Sequence, residues 1–97
     1  MVKNMTSKIE DTCEFFKLLG DPTRLKILLL IEKESLCVNE IADKLGMTKY
    51  AVSHQLALLR KARLIRNEKK GKEVFYTIAD DHIEIVVNTA FEHVSEL

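Results

Sequence analysis

One proline and three glycines in 97 residues are too few for a linker-rich or disordered chain. Cysteine is scarce as well. Cys13 and Cys37 make at most one disulfide, which a reducing cytosol disfavours, so they are expected as free thiols or metal ligands rather than a covalent framework. No apolar run approaches the ~18–20 residues that cross a bilayer, and residues 1–14 lack the apolar core and small-residue cleavage site of a secretory signal. With 46% hydrophobic and 31% charged residues, the expectation is one cytoplasmic domain with no membrane partner, because this length suffices for one core and not for two.

Between residues 44 and 72 it is acid that is missing. Nine bases (Lys44, Lys49, Arg60, Lys61, Arg63, Arg66, Lys69, Lys70 and Lys72) stand against one carboxylate, Glu68, so a chain of formal net charge zero carries +8 here and −8 elsewhere. Solvated lysines would be scattered; this segregation points to a basic surface for a polyanion. The same shortage excludes a nuclease, since two-metal phosphodiester chemistry needs several converging carboxylates. No nucleophile–base pair stands out either, so neither an enzyme nor an organic small-molecule cofactor is expected.

What is present is mostly helix. Ile9, Cys13, Phe16 and Leu19 recur at helical spacing, so residues 8–19 read as an amphipathic helix ended by Gly20, with Cys13 on its core side. Asp21-Pro22 is an N-cap followed by proline at the first helical position, opening a second helix to about Ile31 whose leucines and isoleucines make it the core. Cys37-Val38-Asn39-Glu40 has capping-box spacing, with a weak thiol acceptor at the cap, and starts a third helix that stops at Gly46. Thr48 caps a fourth, with Val52, Leu56 and Leu59 inward; the tight Gly46-Met47 turn makes the pair a helix-turn-helix. Ile65-Arg66-Asn67 and Val74 to Ile78 then alternate with period two around a basic, glycine-containing tip, which is a hairpin. Asp81-x-x-Glu84 has capping-box spacing and opens a last helix carrying Ile83, Val86, Val87, Ala90, Phe91 and Val94. The expected fold is mostly α with a small β-hairpin. It is a single winged helix-turn-helix domain over residues 1–97, with the helix-turn-helix at about 38–63, the wing at about 64–78 and the last helix at about 80–97.

These elements are the supports a duplex requires, a helix for the major groove and a hairpin for phosphates or the minor groove. Thr48, Lys49, Tyr50, Ser53, His54 and Gln55 supply donors and acceptors, and a glutamine can read adenine bidentately. Lys69, Lys70 and Lys72 would hold the backbone of double-stranded DNA.

The acidic end carries a second pattern, Asp80-x-His82 followed by His93-x-x-Glu96. Eleven residues are nearly three turns, so the two histidines share a face, yet they lie about 16 Å apart along the axis, far beyond the ~2.0–2.1 Å of a metal–nitrogen bond. Two antiparallel copies of the helix about a two-fold axis would bring Asp80 and His82 of one chain beside His93 and Glu96 of the other. Two nitrogens and two oxygens in a closed set suit Zn2+, with Co2+ entering in vitro. Taken singly, the same residues read as helix caps, surface histidines and a frayed terminal charge.

Leu36-Cys37-Val38-Asn39-Glu40-Ile41-Ala42, Val52-Ser53-His54-Gln55-Leu56, the Lys70-Gly71-Lys72…Tyr76 wing and the Asp80-x-His82…His93-x-x-Glu96 helix together resemble the ArsR/SmtB family of metal-sensing winged-helix repressors, in its zinc-sensing subgroup. The resemblance implies a homodimer joined through the first and last helices, whose metal-free form binds an inverted-repeat operator and is released by zinc held between the last helices. It also implies a relay from the metal-bound histidine to the backbone carbonyl of Arg63, just beyond the recognition helix. The family's thiolate-rich site departs here, since Asn39 stands where a second cysteine would be.

Two rivals accompany this reading. One is a thiol-redox repressor using a secondary thiol site at Cys13 and Cys37; the other is a zinc-stabilised DNA-binding protein without regulatory coupling.

Overall fold

The computed structural model describes residues 4–97. Five helices and three short strands follow in the order α1 (Met5–Leu19), α2 (Pro22–Lys33), β1 (Leu36–Cys37), α3 (Val38–Leu45), α4 (Lys49–Lys61), β2 (Ile65–Lys70), β3 (Glu73–Ile78) and α5 (Asp81–Ser95). The first three residues of the expected domain lie outside the described residues.

Side-chain caps set most of the boundaries. Asp21 Oδ2 accepts from the Arg24 N–H at 3.0 Å beside Pro22, and Thr48 Oγ1 accepts from the Ala51 N–H at 3.1 Å. Gly46 ends α3 at φ 65°, a left-handed position that costs glycine little, and its N–H donates to the Ala42 carbonyl. Where the thiol of Cys37 is a poor acceptor, the other half of the capping box is strong: Glu40 Oε1 accepts from the Cys37 N–H at 3.0 Å. That bond holds the Glu40 carboxyl below its ordinary value.

Three boundaries differ from the sequence expectation. α1 begins at Met5 because Asn4 Oδ1 accepts from the Ser7 N–H at 2.7 Å, adding a turn before residue 8. The cap of α5 is Asp80 and not Asp81, since Asp80 Oδ1 accepts from the N–H groups of His82 and Ile83 at 2.8 and 3.4 Å; the expected Asp81-x-x-Glu84 box is one residue out of register. The sheet has a third strand, β1, antiparallel to β3 with Leu36 opposite Tyr76, in the order β1-β3-β2. A two-residue strand carries no readable period, so only pairing reveals it.

The hairpin is closed by Gly71-Lys72, with Lys70 opposite Glu73 and Gly71 at φ 63°. The core lies where α2, α3, α4, the sheet and the start of α5 meet: Ile27, Leu28, Ile31, Leu36, Ile41, Val52, Leu56, Leu59, Leu64, Ile65, Ile83 and Val87 are all buried. α5 is tied to α2 by Asn88 Nδ2, which donates to Glu32 Oε1 at 2.6 Å. α1 contributes no buried residue. Cys13, expected in the core, is exposed, because the stripe it shares with Ile9 and Phe16 faces away from this chain's interior.

Candidate nucleic-acid interface and metal centre

α3 and α4 pack through Ile41, Ala42, Val52, Leu56 and Leu59, which turns the opposite side of α4 to solvent. Thr48, Lys49, Tyr50, Ser53 and His54 are all exposed there, Tyr50 by 85%. Gln55 is placed differently. It is half-buried on the flank of the helix, and its Oε1 accepts a 3.2 Å bond from Arg24 Nη1.

Arg24 is the contact of this helix that sequence reasoning missed. It stands in the first turn of α2, where the positive end of the helix dipole disfavours a cation, and that mismatch was the available signal of a tertiary partner. Its Nε donates to the Leu18 carbonyl at 2.9 Å, so one guanidinium touches α1, α2 and α4.

On the wing, Lys69, Lys70 and Lys72 are exposed, with Lys70 Nζ 5.6 Å from the centroid of Phe75, a cation–π contact that lays this lysine along the hairpin. Arg63 turns the chain from α4 into β2 at φ 62°, the one non-glycine residue with positive φ among the described residues. Its N–H donates to the Arg60 carbonyl at 3.0 Å, closing the last turn. The left-handed conformation costs an ordinary residue roughly 1–2 kcal/mol, so packing of Leu64 and Ile65 immediately after it must over-determine the turn.

The acidic quartet lies along α5. Asp80 Oδ1 carries both cap bonds and lies 3.4 Å from His82 Nδ1; the His82 side chain is 90% exposed. His93 and Glu96 are exposed at the other end, where the Glu96 N–H donates to the His93 carbonyl. Among the described residues, no three of His, Cys, Asp and Glu come together within one chain. The helix thus brings His93 and Glu96 to neighbouring positions and holds them three turns from Asp80 and His82. The donor types fit zinc, provided a second helix supplies the other half.

The thiols are separated in character. Burial pushes the Cys37 thiol above its ordinary value, the opposite of what a reactive cysteine needs, while Cys13 lies exposed on α1.

Residues 21–67 match the model of the family described as bacterial regulatory protein, arsR family. The chain is 42% identical over 86 residues to the HTH-type transcriptional regulator MJ1325 of Methanocaldococcus jannaschii, covering 88% of this chain and 97% of that protein. It is 34% identical over 87 residues to a transcriptional repressor SmtB homolog of Synechocystis, covering 90% of this chain; it spans 66% of that relative's length. Among solved structures, the solution structure of apo-NmtR, a regulator of Mycobacterium tuberculosis, superposes with a TM-score of 0.83 at 28% identity, covering 100% of this chain and 82% of the other. The recognition-type helix pair, the wing and these matches agree: the chain belongs to the arsR family of winged helix-turn-helix transcriptional regulators, which are not enzymes.

Proposed function

We propose that this chain acts as a cytoplasmic homodimeric repressor that grips an inverted-repeat operator in its metal-free form and lets go when zinc binds between the two α5 helices. The observation that carries the reading is the quartet Asp80, His82, His93 and Glu96, exposed side chains split between the two ends of one helix and therefore incomplete without a second copy.

The apolar surface around the quartet supports a dimer. Ile9 and Phe16 on α1 and Ile85, Phe91, Val94 and Leu97 at the C-terminal end are exposed, and α1 and α5 enclose an apolar groove of about 360 Å³. A radius of gyration of 14.3 Å also exceeds the about 13 Å of a 100-residue globule, as a subunit with its terminal helices uncovered should. Residues 4–97 form one winged-helix domain in this reading, and two-fold symmetry of the protein would be matched by two-fold symmetry of the operator.

In the complex, α4 enters the major groove with Lys49, Tyr50, Ser53 and His54 outermost and Thr48 at its N-terminus, while Lys69, Lys70 and Lys72 hold phosphates. Asp80 and His82 of one copy with His93 and Glu96 of the other would hold the metal, which would supply a link between the two α5 helices. With one ring nitrogen of His93 given to the metal, the other would be left to donate to the carbonyl of Arg63, the positive-φ residue just beyond the recognition helix, and so would couple α5 to the DNA-reading element. Reciprocity follows: whatever factor metal takes from operator affinity, operator takes from metal affinity.

A zinc titration of the protein on a fluorescent promoter duplex, followed by chelator, tests this. Release by zinc and rebinding on chelation are expected; tight zinc binding with the duplex still held would instead make the metal structural. The thiol-redox reading is disfavoured by the burial of Cys37.

A further inference from the structure

We propose that Gln55 is not a base-reading residue but half of a strut, Arg24–Gln55, that fixes the angle of the recognition helix against α1. The inference rests on the reading of α4 as the DNA-contacting helix. Three observations carry it.

The first is chemical. A guanidinium has donors only, so the Gln55 atom 3.2 Å from Arg24 Nη1 is the carbonyl oxygen, and the amide is oriented by its partner. Reading adenine bidentately would require that oxygen and the amide nitrogen to face the groove together, which the bond to Arg24 prevents.

The second is geometric. Gln55 lies roughly 100° around the helix from His54 and about 140° from Tyr50, which mark the outermost line of α4. It is half-buried toward α2, whereas those two are exposed.

The third is the guanidinium's own anchorage. Arg24 Nε donates to the Leu18 carbonyl at 2.9 Å, one of the orphan acceptors at the end of α1, and the Arg24 N–H is held by Asp21 Oδ2. Both ends of the strut are therefore fixed, and α4 cannot rotate about its own contacts with α3 without breaking a charge-assisted bond. With α1 in the dimer layer, the strut sets how far apart the two recognition helices stand. Arg24 and Gln55 are positioning residues for operator recognition.

The test uses an operator selected from random duplexes by the full chain, and measures specific and non-specific affinity at one salt concentration. Gln55→Glu keeps an acceptor for Arg24 and should leave the preferred base at every operator position unchanged. Gln55→Leu and Arg24→Ala remove the strut and should lower specific affinity about tenfold, the scale of one hydrogen bond to a charged group, with non-specific affinity unchanged. They should also lose discrimination against an operator with one base pair inserted between half-sites, a readout that general loosening of the fold would not single out. If Arg24→Ala does not fold, the two Gln55 variants decide alone. A new preferred base in Gln55→Glu, most directly cytosine through its N4 donor, overturns the proposal and makes Gln55 a reader. Unchanged specific affinity in Gln55→Leu overturns it too. A wild-type chain that selects no sequence overturns the DNA reading itself, and the strut's role with it.

Discussion

The middle of the chain and its two ends are built from similar amounts of apolar residue and use it in opposite ways. From α2 to β3 the leucines, isoleucines and valines at helical or strand spacing are mostly buried, and they hold α4 and the wing as a rigid platform. On α1 and the C-terminal half of α5 residues of the same kind stand exposed: Phe16 by 57%, Phe91 by 54% and Val94 by 64%. The difference teaches that an amphipathic stripe states how much surface must be covered, not which chain covers it. In the proposed function the work divides along the same line, with the basic charge on the self-sufficient half and the split set Asp80, His82, His93 and Glu96 on α5.

Four substitutions would break or sharpen that contrast. Leu56→Ala, at a fully buried site between α3 and α4, should destabilise the fold by about 2–5 kcal/mol in denaturant unfolding. Phe91→Asp should leave the fold of the single chain in place and abolish dimer formation, seen as a monomer mass in sedimentation equilibrium at concentrations where wild type is dimeric. His93→Ala should retain operator binding and lose zinc-driven release, because it removes one of the proposed ligands, an exposed side chain outside this chain's core. Lys69→Ala should weaken binding evenly across sequences and reduce the salt slope of log K by about 1, the signature of a lost phosphate contact.

The smallest effect concerns the cap of α3. The folded carboxyl of Glu40 titrates below its unfolded value because it accepts the Cys37 N–H, so its contribution to stability is complete above the unfolded value of 4.5 and fades as pH falls through the folded one. Glu40→Gln should flatten that acid limb in a pH series of thermal unfolding, with little change in operator affinity at neutral pH.

Most of the platform was legible. Asp21-Pro22, Thr48, Gly46 and the Gly71 turn are local signals, since a cap or a left-handed glycine acts within three or four residues of itself. Asp80 and Asp81 show the limit of such signals: both can cap, and the choice between them depends on where β3 delivers the chain to α5. Strand β1 escaped because two residues have no period, and Cys13 was assigned inward because periodicity gives a face without saying what it meets. Gln55 was grouped with its exposed neighbours for the same reason, since one-letter adjacency hides a turn of about 100° per residue.

The arrangement of charge, the helical and strand periods and the spacing of Asp80, His82, His93 and Glu96 were determined by the sequence alone, because each depends on residue identity and on separations along the chain. Only the tertiary structure decided that α1 lends its own core no more than the half-buried Phe15, Leu18 and Leu19, that Asp80 caps α5, and that Arg24 bonds to Gln55 across 31 positions. Those outcomes depend on which surfaces meet when distant segments pack, and no pattern along a single element carries that information.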